Sequence, residues 1–82
     1  MPLLDVLLFA SYAEAFGAPT VAVEVPDDAT VADLVAALRT HPVGGATLPA
    51  RPLVAVDRAY AAAGDPVLGR GEVALIPPVA GG

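Results

Sequence analysis

From Leu3 to Ala10 the chain is apolar at every position except Asp5. A nearly continuous run of that kind suits a strand covered on both faces, so it is expected at the centre of a sheet rather than at its edge. Ser11-Tyr12-Ala13-Glu14 then has the S-x-x-E form of a capping box. Gly17 and Pro19 supply a stop, and the pattern predicts a short helix over 12–16. Beyond it the period changes to two. Val21, Val23 and Val25 fall on one face of a strand over 20–25, closed by Pro26-Asp27-Asp28.

Val31, Leu34, Val35 and Leu38 recur at the spacing of one helical face, with Thr30 as N-cap and Asp33 at the third helical position. This predicts the main helix, over 31–41. Pro42, Gly44-Gly45, Pro49 and Pro52 then break the chain into a loop. Leu53–Asp57 reads as a third strand, with Tyr60–Ala62 as a short partner. Asp65–Gly69 reads as a turn and Glu72–Ile76 as a last strand that Pro77-Pro78 must end. Strand, short helix, strand, main helix, strand, short strand, strand implies an α+β architecture, a mixed sheet crossed by one main helix. With no repeat and no linker, one head is expected over 1–78 and a flexible tail over 79–82. If the first and last strands are both central, the tail leaves from the middle of the sheet.

Composition narrows what such a head can do. A chain of 82 residues buries only about 60% of its unfolded surface, so an enclosed pocket is not expected. Apolar residues make up 56%, and the excess over a small core should leave an exposed apolar docking face. The net charge is −5 and the first basic residue is Arg39, which disfavours nucleic acid as a partner. There is no cysteine and a single histidine, His41, and the acids form no oxygen-cage pattern, so no bound metal is expected. Met1-Pro2-Leu3-Leu4-Asp5 lacks the basic start of a secretory signal, and the apolar run is too short to span a bilayer. A cytoplasmic location is expected, without membrane attachment.

Few side chains offer chemistry. Ser11, His41 and an acid could be imagined as a triad, but Ser11 reads as a helix cap and His41 falls where a helix ends. Asp27-Asp28 reads as a solvated turn before a helix. Gly44-Gly45 and Gly69-Arg70-Gly71 lack the strand-to-helix setting of a phosphate loop. What remains is the ending Ile76-Pro77-Pro78-Val79-Ala80-Gly81-Gly82. With no Cβ, Gly81 and Gly82 let a narrow channel close on the backbone and leave the terminal carbonyl open to attack. Pro77 and Pro78 favour extended geometry and so orient the tail. Neutral Val79 and Ala80 suit an apolar channel, and the four residues after Pro78 reach at most about 14 Å. Lysine is absent, so an activated Gly82 would meet no ε-amine on its own chain. Phe9, Leu75 and Ile76, in the sheet near the tail, are the docking candidates, although each reads more readily as buried core.

Three stretches carry a resemblance to a known family. Val6–Gly17 ("VLLFASYAEAFG"), Leu53–Tyr60 ("LVAVDRAY") and Gly71–Gly82 ("GEVALIPPVAGG") resemble the ubiquitin-like sulfur carriers, MoaD and ThiS. Pro-Pro-Val before Gly-Gly is most like MoaD, the small subunit of molybdopterin synthase. Departures are Ile76 where an aromatic is common, Asp57 where Asn is common, and Gly69-Arg70-Gly71 in place of an acidic turn.

The resemblance implies a β-grasp fold and a carrier subunit with no side-chain active site and no cofactor of its own. It implies that an adenylyltransferase resembling ubiquitin-activating enzymes uses ATP to adenylate Gly82. A sulfur donor enzyme then makes the thiocarboxylate, and Val79, Ala80 and Gly81 thread the large subunit of molybdopterin synthase. There the sulfur passes to cyclic pyranopterin monophosphate. Carrier chemistry for cysteine, thiamine or a secondary metabolite, a protein modifier, and an interaction module with an inert terminus are the other readings.

Overall fold

The computed structural model describes residues 1–77. Its elements are β1 (Leu3–Leu8), α1 (Ala10–Phe16), β2 (Thr20–Glu24), α2 (Val31–Arg39), a 3₁₀ turn (Gly45–Thr47), β3 (Leu53–Val56), β4 (Ala59–Tyr60) and β5 (Val73–Ile76). They form a five-stranded sheet in the order β2-β1-β5-β3-β4. β1 and β5 run parallel, and the other neighbours are antiparallel. The architecture is the α+β mixed sheet that the element order implies. β5, last in the chain, is the middle strand, and β1 lies beside it.

The expectations for β1 and α1 need correction. β1 is an interior strand, but it is not covered on both faces. Val6 and Leu8 are buried, whereas Leu3 is 67% exposed and Asp5 is exposed. The apolar run therefore hides an alternation of period two, one side toward the helices and one side open. The second correction concerns α1. Its N-cap is Phe9, with no side-chain cap bond, so Ser11 lies inside the first turn instead of capping it. The chain turns straight from strand to helix at Ala10, whose φ is +48°. At the other end Gly17 adopts φ 76° and its N–H donates to the Ala13 carbonyl. That left-handed turn is the stop expected of a glycine.

α2 forms as its spacing requires. Thr30 accepts from the Asp33 N–H while the Asp33 side chain accepts from the Thr30 N–H, a complete capping box. Val31, Leu34 and Leu38 are buried. The helix stops at Arg39 rather than 41, because the Thr40 hydroxyl and N–H both turn back to the Ala37 carbonyl. In the loop that follows, Gly44 has φ 87°, and a Cβ there would lie 2.8 Å from the Ala15 carbonyl oxygen. Only glycine lets the loop lie this close to α1.

The core lies between the sheet and α2, with α1 closing one end. Leu34, Leu38 and Leu75 are fully buried there with Val6, Val25, Val54 and Val67. Tyr12 and Phe16 bring α1 into the same cluster, and burial pushes the Tyr12 phenol above its ordinary value. Asp57 and Arg58 join β3 to β4 with φ 51° and 70°, the positive values a type I′ hairpin turn demands. The Asp57 carboxylate accepts from the Glu72 N–H at 2.8 Å, and the Asp57 N–H donates to the Glu72 carbonyl at 2.8 Å. This ties the hairpin to the start of β5. Among the described residues no helix is long and apolar enough to cross a membrane.

Candidate functional site: the open sheet face at the end of β5

The strand registers define what the open face presents. Leu8 sits beside Leu75, and Leu75 opposite Val54, on the core side. On the other side Leu7 lies beside Ala74, Ala74 opposite Ala55, and Ala55 opposite Tyr60. One step along, Ile76 pairs with Leu53. Phe9, still extended at φ −122° and ψ 150°, continues β1 into the place beside Ile76.

The result is two rows across the sheet. Phe9, Ile76 and Leu53 form the outer row, and Leu7, Ala74, Ala55 and Tyr60 form the inner one. Ala74 and Ala55 make a low floor at 2% and 9% exposure, while Phe9, Leu53 and Tyr60 stand up at 48%, 45% and 71%. The outer row lies where β5 ends and the chain passes into Pro77. An apolar patch of this kind is what a partner's surface would cover.

Of the residues expected to dock, Phe9 and Ile76 are on this face. Leu75 is not. It is fully buried, because the alternation that turns Ile76 outward turns Leu75 into the core. Leu53, Tyr60 and Leu7 belong to the face and were not singled out from sequence. The signal that finds them is the period of two, counted across the registers rather than along one strand. Pro77 is partly buried at the end of β5. Pro78, Val79, Ala80, Gly81 and Gly82 lie outside the described residues.

The remaining candidate groups have local uses. The His41 ring lies 5.3 Å from the Phe16 ring, and its Nδ1 is 2.7 Å from the Val43 carbonyl oxygen and 3.1 Å from the Val43 nitrogen. That engages one edge of the imidazole with its own loop. Among the described residues no group of three or more His, Asp or Glu side chains is placed to hold a metal ion. Among the described residues an open groove of about 720 Å³ lies between the outer side of α2 and the segment entering β3. Arg39 and Arg51 line it together with Val31, Val35 and Leu53.

The sequence profile of the ThiS family matches residues 6–82. Two crystal structures of small archaeal modifier protein 1 from Haloferax volcanii are each 35% identical to this chain. One aligns with a TM-score of 0.71 over 99% of this chain and 100% of that one. The other aligns with a TM-score of 0.74 over 94% and 98%. A Pyrococcus furiosus structure assigned as molybdopterin converting factor, subunit 1, has a TM-score of 0.74 over 94% of this chain and 98% of its own, at 19% identity. That likeness is one of fold. No curated protein sequence matches. With these likenesses the mixed sheet and its main helix are a β-grasp, ubiquitin-like fold.

Proposed function

Because this chain belongs to the ThiS family, we propose that it is a sulfur carrier for molybdenum cofactor biosynthesis. The observation that carries the proposal is that the family match runs through residue 82 and so includes Gly81 and Gly82. Its similarity to MoaD at Pro77-Pro78-Val79 supports the choice of pathway.

In this reading the carrier has no catalytic side chain. An adenylyltransferase resembling ubiquitin-activating enzymes uses ATP: the Gly82 carboxylate bonds to the α-phosphorus and pyrophosphate leaves. Sulfide-level sulfur released by a sulfur donor enzyme then attacks the acyl carbon and displaces AMP, which leaves the thiocarboxylate. This chain itself binds no cofactor. Its tail enters the large subunit of molybdopterin synthase, where the sulfur passes to cyclic pyranopterin monophosphate to build the dithiolene.

The parts of the chain divide the work. β5 ends in the middle of the sheet; in this reading Pro77 and Pro78 orient the tail, and Val79, Ala80 and Gly81 thread the partner's channel. Phe9, Ile76 and Leu53 cover the partner's surface around the tail's exit, excluding water there. A head of charge −5 suits a partner whose substrate pocket is basic. All of these steps suit the cytoplasm. Deletion of Gly82 should abolish molybdopterin formation in a reaction reconstituted with the large subunit, with the thermal melt unchanged. Formation that survives the deletion would refute the mechanism.

A second reading is supported by the 35% identity to small archaeal modifier protein 1 across 99% of the chain. Here activated Gly82 forms an isopeptide with a lysine of a target protein. Conjugates of higher mass that require Gly82 would favour it. Carrier chemistry in another pathway shares the first two steps and is separated by the identity of the sulfur acceptor.

A further inference from the structure

The sheet has two edges, β2 and β4, and they are protected unequally. β4 is two residues long, and shortness is one way a fold blunts an edge. β2 runs five residues, Thr20–Glu24, in unbroken register with β1. It has no bulge, no lysine and no internal proline to turn another strand away.

The register fixes which backbone groups of β2 face outward. The Leu8 N–H donates to the Pro19 carbonyl and the Val25 N–H to the Pro2 carbonyl, so the odd-numbered residues of β2 are the ones that bond to β1. Thr20, Ala22 and Glu24 alternate with them, and their N–H and C=O groups point away from β1 at the edge. All three residues are exposed. Their side chains stand on the open face, Ala22 opposite Asp5 and Glu24 opposite Leu3, while Val21 and Val23 turn to the core side. Asp5 and Glu24 are both exposed, and no partner of β2 on β1 is basic.

We infer that the edge of β2 takes an added strand from a partner protein, an extended segment in which lysine or arginine alternates with apolar residues. Thr20, Ala22 and Glu24 offer three donors and three acceptors for the main-chain bonds. The apolar side chains of the added strand continue the row of Val21 and Val23. Its basic side chains meet Glu24 directly and reach Asp5 across the small Ala22. A second copy of this chain fits poorly, because its own β2 brings the same acids. β1 separates β2 from β5 by about 10 Å across the sheet, so the added strand leaves Ile76 uncovered and the inference is independent of the carrier reading.

Titration of the isotopically labelled full-length protein with the peptide acetyl-Lys-Val-Lys-Val-Lys-Val-amide at low salt tests it. Amide shifts should centre on Thr20, Ala22 and Glu24, and hydrogen exchange at these amides should slow about tenfold with free peptide at ten times its Kd. A22P removes a donor that faces away from β1, so the fold is kept, and it should weaken peptide binding about fivefold, the worth of one hydrogen bond. D5N/E24Q leaves the backbone untouched and should weaken binding about threefold while flattening its salt dependence. Shifts centred elsewhere, no shift at millimolar peptide, or an equal response to acetyl-Glu-Val-Glu-Val-Glu-Val-amide would overturn the inference. Unchanged affinity in either variant would do the same, as would pairing of free chains through β2, which gives the edge to a second copy.

Discussion

Arg58 holds φ at +70° as the second residue of a two-residue hairpin turn, a position where glycine is strongly preferred. A non-glycine residue in the left-handed region costs about 1–2 kcal/mol, and glycine's greater freedom in the unfolded chain returns about 0.5–1 kcal/mol of that. R58G should therefore stabilise the head by about 0.5–1 kcal/mol, read as a rise in Tm of about 2–8 °C. An unchanged or lower Tm would mean that the turn is not strained. Asp57 takes the neighbouring position with φ 51° and binds the Glu72 N–H, so an Asp suffices there as well as the commoner Asn. Little at this scale is legible in the sequence. Ser11 has the right spacing for a cap, yet the cap falls on Phe9 because the chain leaves β1 and turns at Ala10 without an intervening loop. Leu75 and Ile76 look alike in sequence. Only the register separates a core residue from a surface one.

At the scale of elements, α2 was readable because several independent signals agree there: a capping residue, an acid at the third position, and apolar residues at one-face spacing. Its capping box makes a quantitative prediction. T30A should destabilise the protein by about 1 kcal/mol, lowering Tm by about 4–8 °C, and D33A should do much the same because it removes the reciprocal bond to the Thr30 N–H. If T30A melts with the unaltered protein, the helix does not depend on its cap. β1 shows the opposite case. Leu3, Leu4, Leu7 and Leu8 are all apolar, so composition along the strand cannot say which face is covered. The answer lies in what packs above it. Only one side of the sheet carries the helices, and the other side keeps an apolar surface that sequence periodicity alone could not reveal.

At the scale of the whole molecule, part of the apolar excess in the composition lies on two surfaces, the open sheet face and the groove beside α2. The parallel pairing of β1 and β5 puts the last strand in the middle of the sheet. β5 therefore ends beside Leu53 and in line with Phe9 instead of at an edge, and the proposed function has one partner surface cover this face. F9A and Y60A should each weaken association with the large subunit of molybdopterin synthase by about tenfold, measured by titration calorimetry, with Tm nearly unchanged in Y60A, whose side chain is 71% exposed. Full affinity in both variants would place the docking surface elsewhere. The order of elements was legible early, because strand and helix periods differ. The open apolar face was only partly legible, because it is assembled from several strands. The central claim is that Gly82 carries sulfur, and intact-mass analysis of the full-length protein tests it most directly. After incubation with ATP, the adenylyltransferase and a sulfur donor, the account predicts a mass gain equal to one oxygen exchanged for one sulfur, confined to the carboxyl-terminal peptide. An unchanged mass under conditions in which the same enzymes load another member of the family would contradict it.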